Sequence, residues 1–126
     1  MELLMEIDIR IKGSQFVAGH TRDICMIEFD GTARGSYFNG EVIGTGVDTQ
    51  KIEKSKEMVL SARYMLDGKD AAGNDCRMFI ENNGGDFNNC KPTIYTNSPL
   101  LADWETSDLT AKVIPNDSGV LIQIYK

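Results

Sequence analysis

Polar and apolar residues alternate along most of this chain. From Met5 to Lys12 the alternation is strict: Met5, Ile7, Ile9 and Ile11 interleave with Glu6, Asp8, Arg10 and Lys12. A strand turns successive side chains to opposite faces, so this spacing predicts a strand with one dry face and one wet face. The stretch from Met58 to Gly84 repeats the pattern twice. Leu60, Ala62, Tyr64 and Leu66 share one parity against Val59, Ser61, Arg63 and Met65; Cys76, Met78 and Ile80 oppose Arg77, Phe79 and Glu81. Asp67-Gly68 and Gly73-Asn74 lie between the two runs, and Gly, Asn and Asp are turn residues because they tolerate positive φ. Pairing the apolar faces puts Arg63 beside Glu81 on the other side and leaves Asn82 at the end of the apolar row, since a slip of one residue would mix the faces.

The remaining segments are shorter. Gln15 to Asp23 reads as a loop or short strand. Ile24 to Phe29 is apolar on both parities, as expected for a strand covered on both sides. Asp30-Gly31 reads as a turn, and Asn39-Gly40 as a hairpin turn between strands at Ala33–Tyr37 and Gly40–Gly46. Gly31, Gly35, Gly40, Gly44 and Gly46 crowd this region, with Gly19 upstream; glycine within strands marks bulges, sharp bends or a close backbone approach, all common where a sheet curls shut. Thr49 to Lys56 reads as an exposed strand or irregular segment, and Asn83 to Cys90 as irregular. Further strands are predicted around Thr93–Tyr95, at Leu109–Ile114 and at Val120–Tyr125, with a helical turn at Leu100–Glu105. The expected fold is all-β: a single antiparallel barrel over residues 1–126, of about eight to ten strands, lipocalin-like in general shape and with little helix.

Composition narrows the functions. The 126 residues carry 13 Lys and Arg against 19 Asp and Glu, a formal net charge of −6. No basic stripe tracks a phosphate backbone, so nucleic acid is not an expected partner. The 3 cysteines, Cys25, Cys76 and Cys90, form no CxxC pair and read as reduced thiols. His20 is the only histidine; it sits in a polar loop and builds no metal cluster, and no zinc or calcium spacing occurs. Neither a metal nor a cofactor is expected. Acidic residues interrupt the apolar start, which argues against a signal peptide or membrane span, and the expectation is a cytoplasmic protein.

Several stretches together resemble a known family. They are NGEVIGTG, VDTQ, MVLSARYMLDG, CRMFIENNG and the closing GVLIQIYK. As a set they are similar to domain-of-unknown-function family 3237, small UPF-type proteins of bacteria and fungi. The family's glycine-rich stretch corresponds to Gly40, Glu41 and Val42, its following acid to Asp48, its "ARY" strand to Ala62, Arg63 and Tyr64, and its strand end to Ile80, Asn82 and Gly84. The resemblance implies a compact β-barrel and brings no established activity. This chain departs from the family pattern with Thr49 after the acid and with Tyr95 ahead of Thr96.

The polar residues on these strands are the candidate chemistry. Asp48, Arg63 and Glu81 are candidate catalytic residues, with Arg63 binding an anion or enolate-like oxygen and a carboxylate moving a proton. Tyr64, Asn82, Thr96 and Trp104 are candidate ligand-binding residues. A purely structural reading stands beside each. Arg63 and Glu81 can form an ordinary cross-strand ion pair on the outer face. Tyr64 can fill the core with its hydroxyl at the rim, Asn82 can end its strand on turn backbone, and Trp104 can plug one end of the barrel. Three functions are compatible with this set: a barrel that binds a small carbonyl, acidic or aromatic ligand; a cofactor-independent isomerase, cyclase or dehydratase; and a self-associating module, a homo-oligomer built on the outer face. Arg63 pointing inward, with Asp48 or Glu81 near it and a cavity alongside, favours the first two; Arg63 pointing outward over a filled barrel favours the third.

Overall fold

The computed structural model describes residues 1–126. Eight strands run in chain order: β1 (Leu3–Ala18), β2 (Arg22–Arg34), β3 (Phe38–Glu53), β4 (Met58–Asp70), β5 (Asp75–Gly84), β6 (Cys90–Thr96), β7 (Thr110–Pro115) and β8 (Gly119–Tyr125). Each pairs antiparallel with the next, and β8 returns to β1 with Ile122 opposite Ile7, which closes the barrel. Closure removes the free edges that an open sheet of this length would expose. A 3₁₀ helix, Pro99–Glu105, connects β6 to β7. No helix is long and apolar enough to cross a membrane.

The alternating rows face inward as the parity demands. Ile7, Leu66, Met78, Ile80, Ile94 and Ile124 are wholly buried and belong to one apolar core with Phe38, Tyr64 and Trp104. The β4–β5 register is Tyr64 opposite Ile80 and Arg63 opposite Glu81.

Three predicted turns lie inside long strands. Asp30-Gly31 is within β2, Asn39-Gly40 within β3 and Asp67-Gly68 within β4. The actual connections are at Gly35–Tyr37 and at Ala71–Asn74, where Gly73 takes φ +81°. The glycines serve the close backbone approach that a curling sheet requires. Gly40 sits directly across from Gly68, and a Cβ on Gly68 would collide with the Asn39 carbonyl. The sheet coils so tightly here that only paired glycines let the backbones approach. Gly44, at φ +64°, lies where the β3–β4 register shifts between Ile43 and Val47. That bulge bends β3 and carries it on through Thr49 to Glu53 as regular strand. β1 likewise continues to Ala18, into the stretch read as a loop or short strand, past a register shift between Ile11 and Gly13.

The two ends differ in construction. One end gathers the β2–β3 and β4–β5 turns and the 3₁₀ helix. There Trp104 packs edge-to-face on Tyr37 with ring centroids 5.8 Å apart, and Lys126 Nζ meets Asp103 Oδ2 at 2.8 Å. Trp104 is thus the plug its size suggested. The other end gathers the β1–β2, β3–β4, β5–β6 and β7–β8 connections. Between them lies the weakest seam of the ring: β6 and β7 pair only through Cys90 opposite Ala111.

Candidate functional site

A cavity of about 150 Å³ opens among the inward side chains at the end away from Trp104. Its wall is mainly apolar: Ile9 and Ile11 from β1, Ile27 and Phe29 from β2, Val113 from β7, Val120 and Ile122 from β8, with Phe87 from the β5–β6 connection. Asp48, Gln50 and Asn82 are its polar side chains. The Phe87 carbonyl accepts a hydrogen bond from the Val113 N–H at 2.8 Å, which holds the connection against β7 across the weak seam.

Register explains how the polar groups meet. Asp48 on β3 lies opposite Ala62 on β4, and Ala62 lies opposite Asn82 on β5. The three side chains therefore form one inward row across adjacent strands. Neighbouring strands are spaced by about 4.8 Å, so Asp48 and Asn82 flank a gap of two such steps. Ala62 has only a methyl group to fill it.

Both heads of the row have unanswered acceptors. Asp48 Oδ2 accepts from Gln50 Nε2 at 3.1 Å, whereas the buried Asp48 Oδ1 has no partner. Asn82 is 5% exposed, and its Oδ1 has no partner either. Buried polar atoms are nearly always hydrogen-bonded, so two orphaned acceptors facing one cavity are unusual. Burial raises the Asp48 carboxyl above the ordinary aspartate range, and the hydrogen bonds from Gln50 and the Ser61 backbone offset only part of that. Cys90, also in the wall, donates its thiol to the Asp86 carbonyl at 3.2 Å. Burial first, then the negative charges of Asp86 and Asp48, push that thiol upward, so it is a poor nucleophile.

The other sequence candidates lie elsewhere. Arg63 points outward and its Nε meets Glu81 Oε2 at 2.6 Å, with 66% of the arginine side chain exposed. The pair sits on the outer face because its parity is opposite to that of Ala62 and Asn82. Neither residue reaches the cavity, which corrects their placement as catalytic partners of Asp48. Tyr64 faces inward beside Phe29, ring centroids 5.3 Å apart. Its hydroxyl is buried without a partner rather than lying at the rim, and burial raises its pKa strongly. Thr96 belongs to the plugged end, where its hydroxyl donates to the Arg77 carbonyl at 2.7 Å. Trp104 belongs there as well. Gln50, Phe87 and Cys90 were not foreseen as site residues. Gln50 shares its parity with Asp48, a signal that is lost where Thr49–Lys56 reads as exposed or irregular.

Residues 1–88 match the family described as "Protein of unknown function (DUF3237)". The chain belongs to the DUF3237 family. No curated protein sequence matches it. Solved structures similar to this DUF3237 chain share its fold from end to end. A protein with unknown function from Clostridium acetobutylicum ATCC 824 aligns at 24% identity and a TM-score of 0.84, over 99% of this chain and 96% of that one. A beta-barrel like protein from Acinetobacter baumannii AYE gives 14% identity and 0.79, over 98% and 92%. An enzyme from Penicillium herquei gives 14% and 0.75, again over 98% and 92%. At these identities the likeness concerns the DUF3237 barrel itself.

Proposed function

We propose that this protein binds a small organic molecule, about one ring in size, in the cavity of its barrel. One observation carries the reading: two buried acceptors, Asp48 Oδ1 and Asn82 Oδ1, lack partners at an otherwise apolar cavity. Leaving a buried acceptor unpaired costs about 1–3 kcal/mol. A bound donor recovers that cost, and the apolar wall adds the driving force of burial. The volume suits a single ring, since an apolar cavity of about 150 Å³ in another protein takes up benzene. The acidic ligand expected from Arg63 loses its support, because that cation lies outside. Methyl-resolved NMR during titration with toluene and with benzyl alcohol tests the reading. Shifts at Ile9, Ile27, Val113 and Val120 are expected, and shifts confined to the outer face would refute it.

A second reading makes the same pocket an enzyme's, with Asp48 moving a proton on the bound molecule. It is favoured by the raised carboxyl and by the enzyme from Penicillium herquei on the same barrel. A carboxyl raised by burial holds its proton to higher pH than a free aspartate, which suits it to give and take one. Product analysis of a bound compound after incubation with wild type and Asp48→Asn separates the two; a product formed only by wild type selects the enzyme.

A further inference from the structure

The hydrogen-bonding groups of the cavity narrow the class of ligand beyond what its size does, on the ligand-binding reading given above. All three polar side chains in the wall offer oxygen acceptors, and no Lys, Arg or His lines it. One of them is a carboxylate whose only side-chain partner is a neutral amide, Gln50. Buried charges in folded proteins are otherwise paired or metal-bound. The other titratable group facing this carboxylate is the Cys90 thiol on β6, which carries no positive charge. The facing positions on β2 and β4 are Ile27 and Ala62, so the neighbouring strands bring no cation.

We infer that the cavity takes a small protonated amine on a ring-sized apolar body, its ammonium held between Asp48 and Asn82 above Ala62. Three features converge on that class. A primary ammonium has donors only, which suits the two buried acceptors without partners, Asp48 Oδ1 and Asn82 Oδ1. The carboxylate's transfer out of water has already been met by folding, so pairing it with an ammonium adds attraction against the amine's desolvation alone. The whole chain has a formal net charge of −6, which draws cations toward it and repels anions. A carboxylate ligand would face Asp48 with like charge, and a ketone, having no donor, would leave Asp48 Oδ1 unpaired.

Benzylamine, benzyl alcohol, toluene and benzoate share one ring and differ in the group presented to Asp48. Their affinities, measured by NMR titration at neutral pH, decide the matter. Benzylamine is expected to bind at least about tenfold more tightly than benzyl alcohol, as a hydrogen bond to a charged group exceeds a neutral one. Asp48→Asn, which keeps the shape and removes the charge, is expected to weaken benzylamine about 10- to 100-fold and to affect toluene far less. Equal binding of benzylamine and benzyl alcohol, a preference for benzoate, or benzylamine binding untouched in Asp48→Asn would each overturn the amine assignment while leaving a ligand cavity in place. If toluene and the other three all fail to perturb the cavity methyls, the cavity reading itself fails. Ala62→Leu places a side chain in the gap between Asp48 and Asn82 and should abolish binding of every ring compound; if that variant does not fold, Asp48→Asn remains the deciding comparison.

Discussion

The barrel contains two aspartates in its interior layers, and they have opposite surroundings. Asp70, at the plugged end, is 5% exposed and fully served. Its Oδ1 accepts from the backbone N–H groups of Ala72 and Asn74 at 3.0 and 3.1 Å, and its Oδ2 from the Ser98 hydroxyl at 2.8 Å. The Ser98 hydrogen bond is the main reason its carboxyl is held below the usual range. Asp48, at the other end, is raised by burial despite the hydrogen bonds from Gln50 and the Ser61 backbone, and its Oδ1 has no partner. Asp70 ties the β4–β5 turn to the segment before the 3₁₀ helix and leaves nothing unpaired. Asp48 is left with an acceptor to spare. A buried carboxylate whose lone pairs are all used is a structural tie; one with a free oxygen at a cavity is a candidate site.

The sharpest way to break this contrast is to remove the plug. Trp104→Ala is expected to cost about 3–5 kcal/mol in urea denaturation, the range for truncating a large buried aromatic. A loss under about 1 kcal/mol would mean that the 3₁₀ segment is not part of the core.

Next comes the response of the two aspartates to pH. Asp70 has a folded pKa below its unfolded value, near 3.9. Its contribution is therefore present above the unfolded value and is lost as the pH falls through the folded one. Asp48 has a folded pKa above its unfolded value. Between the two values the folded state holds more protons, so stability declines as pH rises, and the full cost stands above the folded pKa. Thermal melts of Asp70→Asn should accordingly fall below wild type at neutral pH, with the gap closing in acid. Those of Asp48→Asn should rise above wild type at neutral pH and converge with it in acid. Two curves of the same sign would remove the distinction between tie and site.

The smallest effect is expected on the outer face. Arg63→Ala should change stability by no more than about 0.5 kcal/mol, because an exposed ion pair contributes little. It should leave the affinity of any cavity ligand as it was. A tenfold loss of binding would show that the β4–β5 outer face communicates with the interior.

Much of the barrel was legible from spacing. The strands at Met5–Lys12, Met58–Leu66 and Cys76–Glu81 followed from period-two alternation, and so did the β4–β5 register, since only one parity pairs apolar with apolar. The connections were less legible. Asn39-Gly40 and Asp67-Gly68 have the chemistry of turns, yet the strands run through them because the sheet coils there and needs residues without a Cβ. A dipeptide signals that the backbone is unhindered; it does not say whether that freedom goes to a turn or to a close crossing. The candidate site was half legible: Asp48 and Asn82 stand out as polar residues on strands, while Gln50 and Cys90 beside them do not. Arg63 was the more conspicuous residue and proved to face solvent.

By itself, the sequence determined which residues can share a face, because side-chain direction along a strand is a local property with a period of two. It also determined that the chain makes strands rather than amphipathic helices, for the same local reason. Only the tertiary structure decided which face is inside and which groups meet across it. Asp48, Ala62 and Asn82 come from three strands, and their row exists only through the register of β3, β4 and β5. The count of hydrogen-bond donors around a carboxylate is likewise a property of the assembled ring. That count, more than residue type, makes Asp70 a tie and Asp48 the head of a cavity.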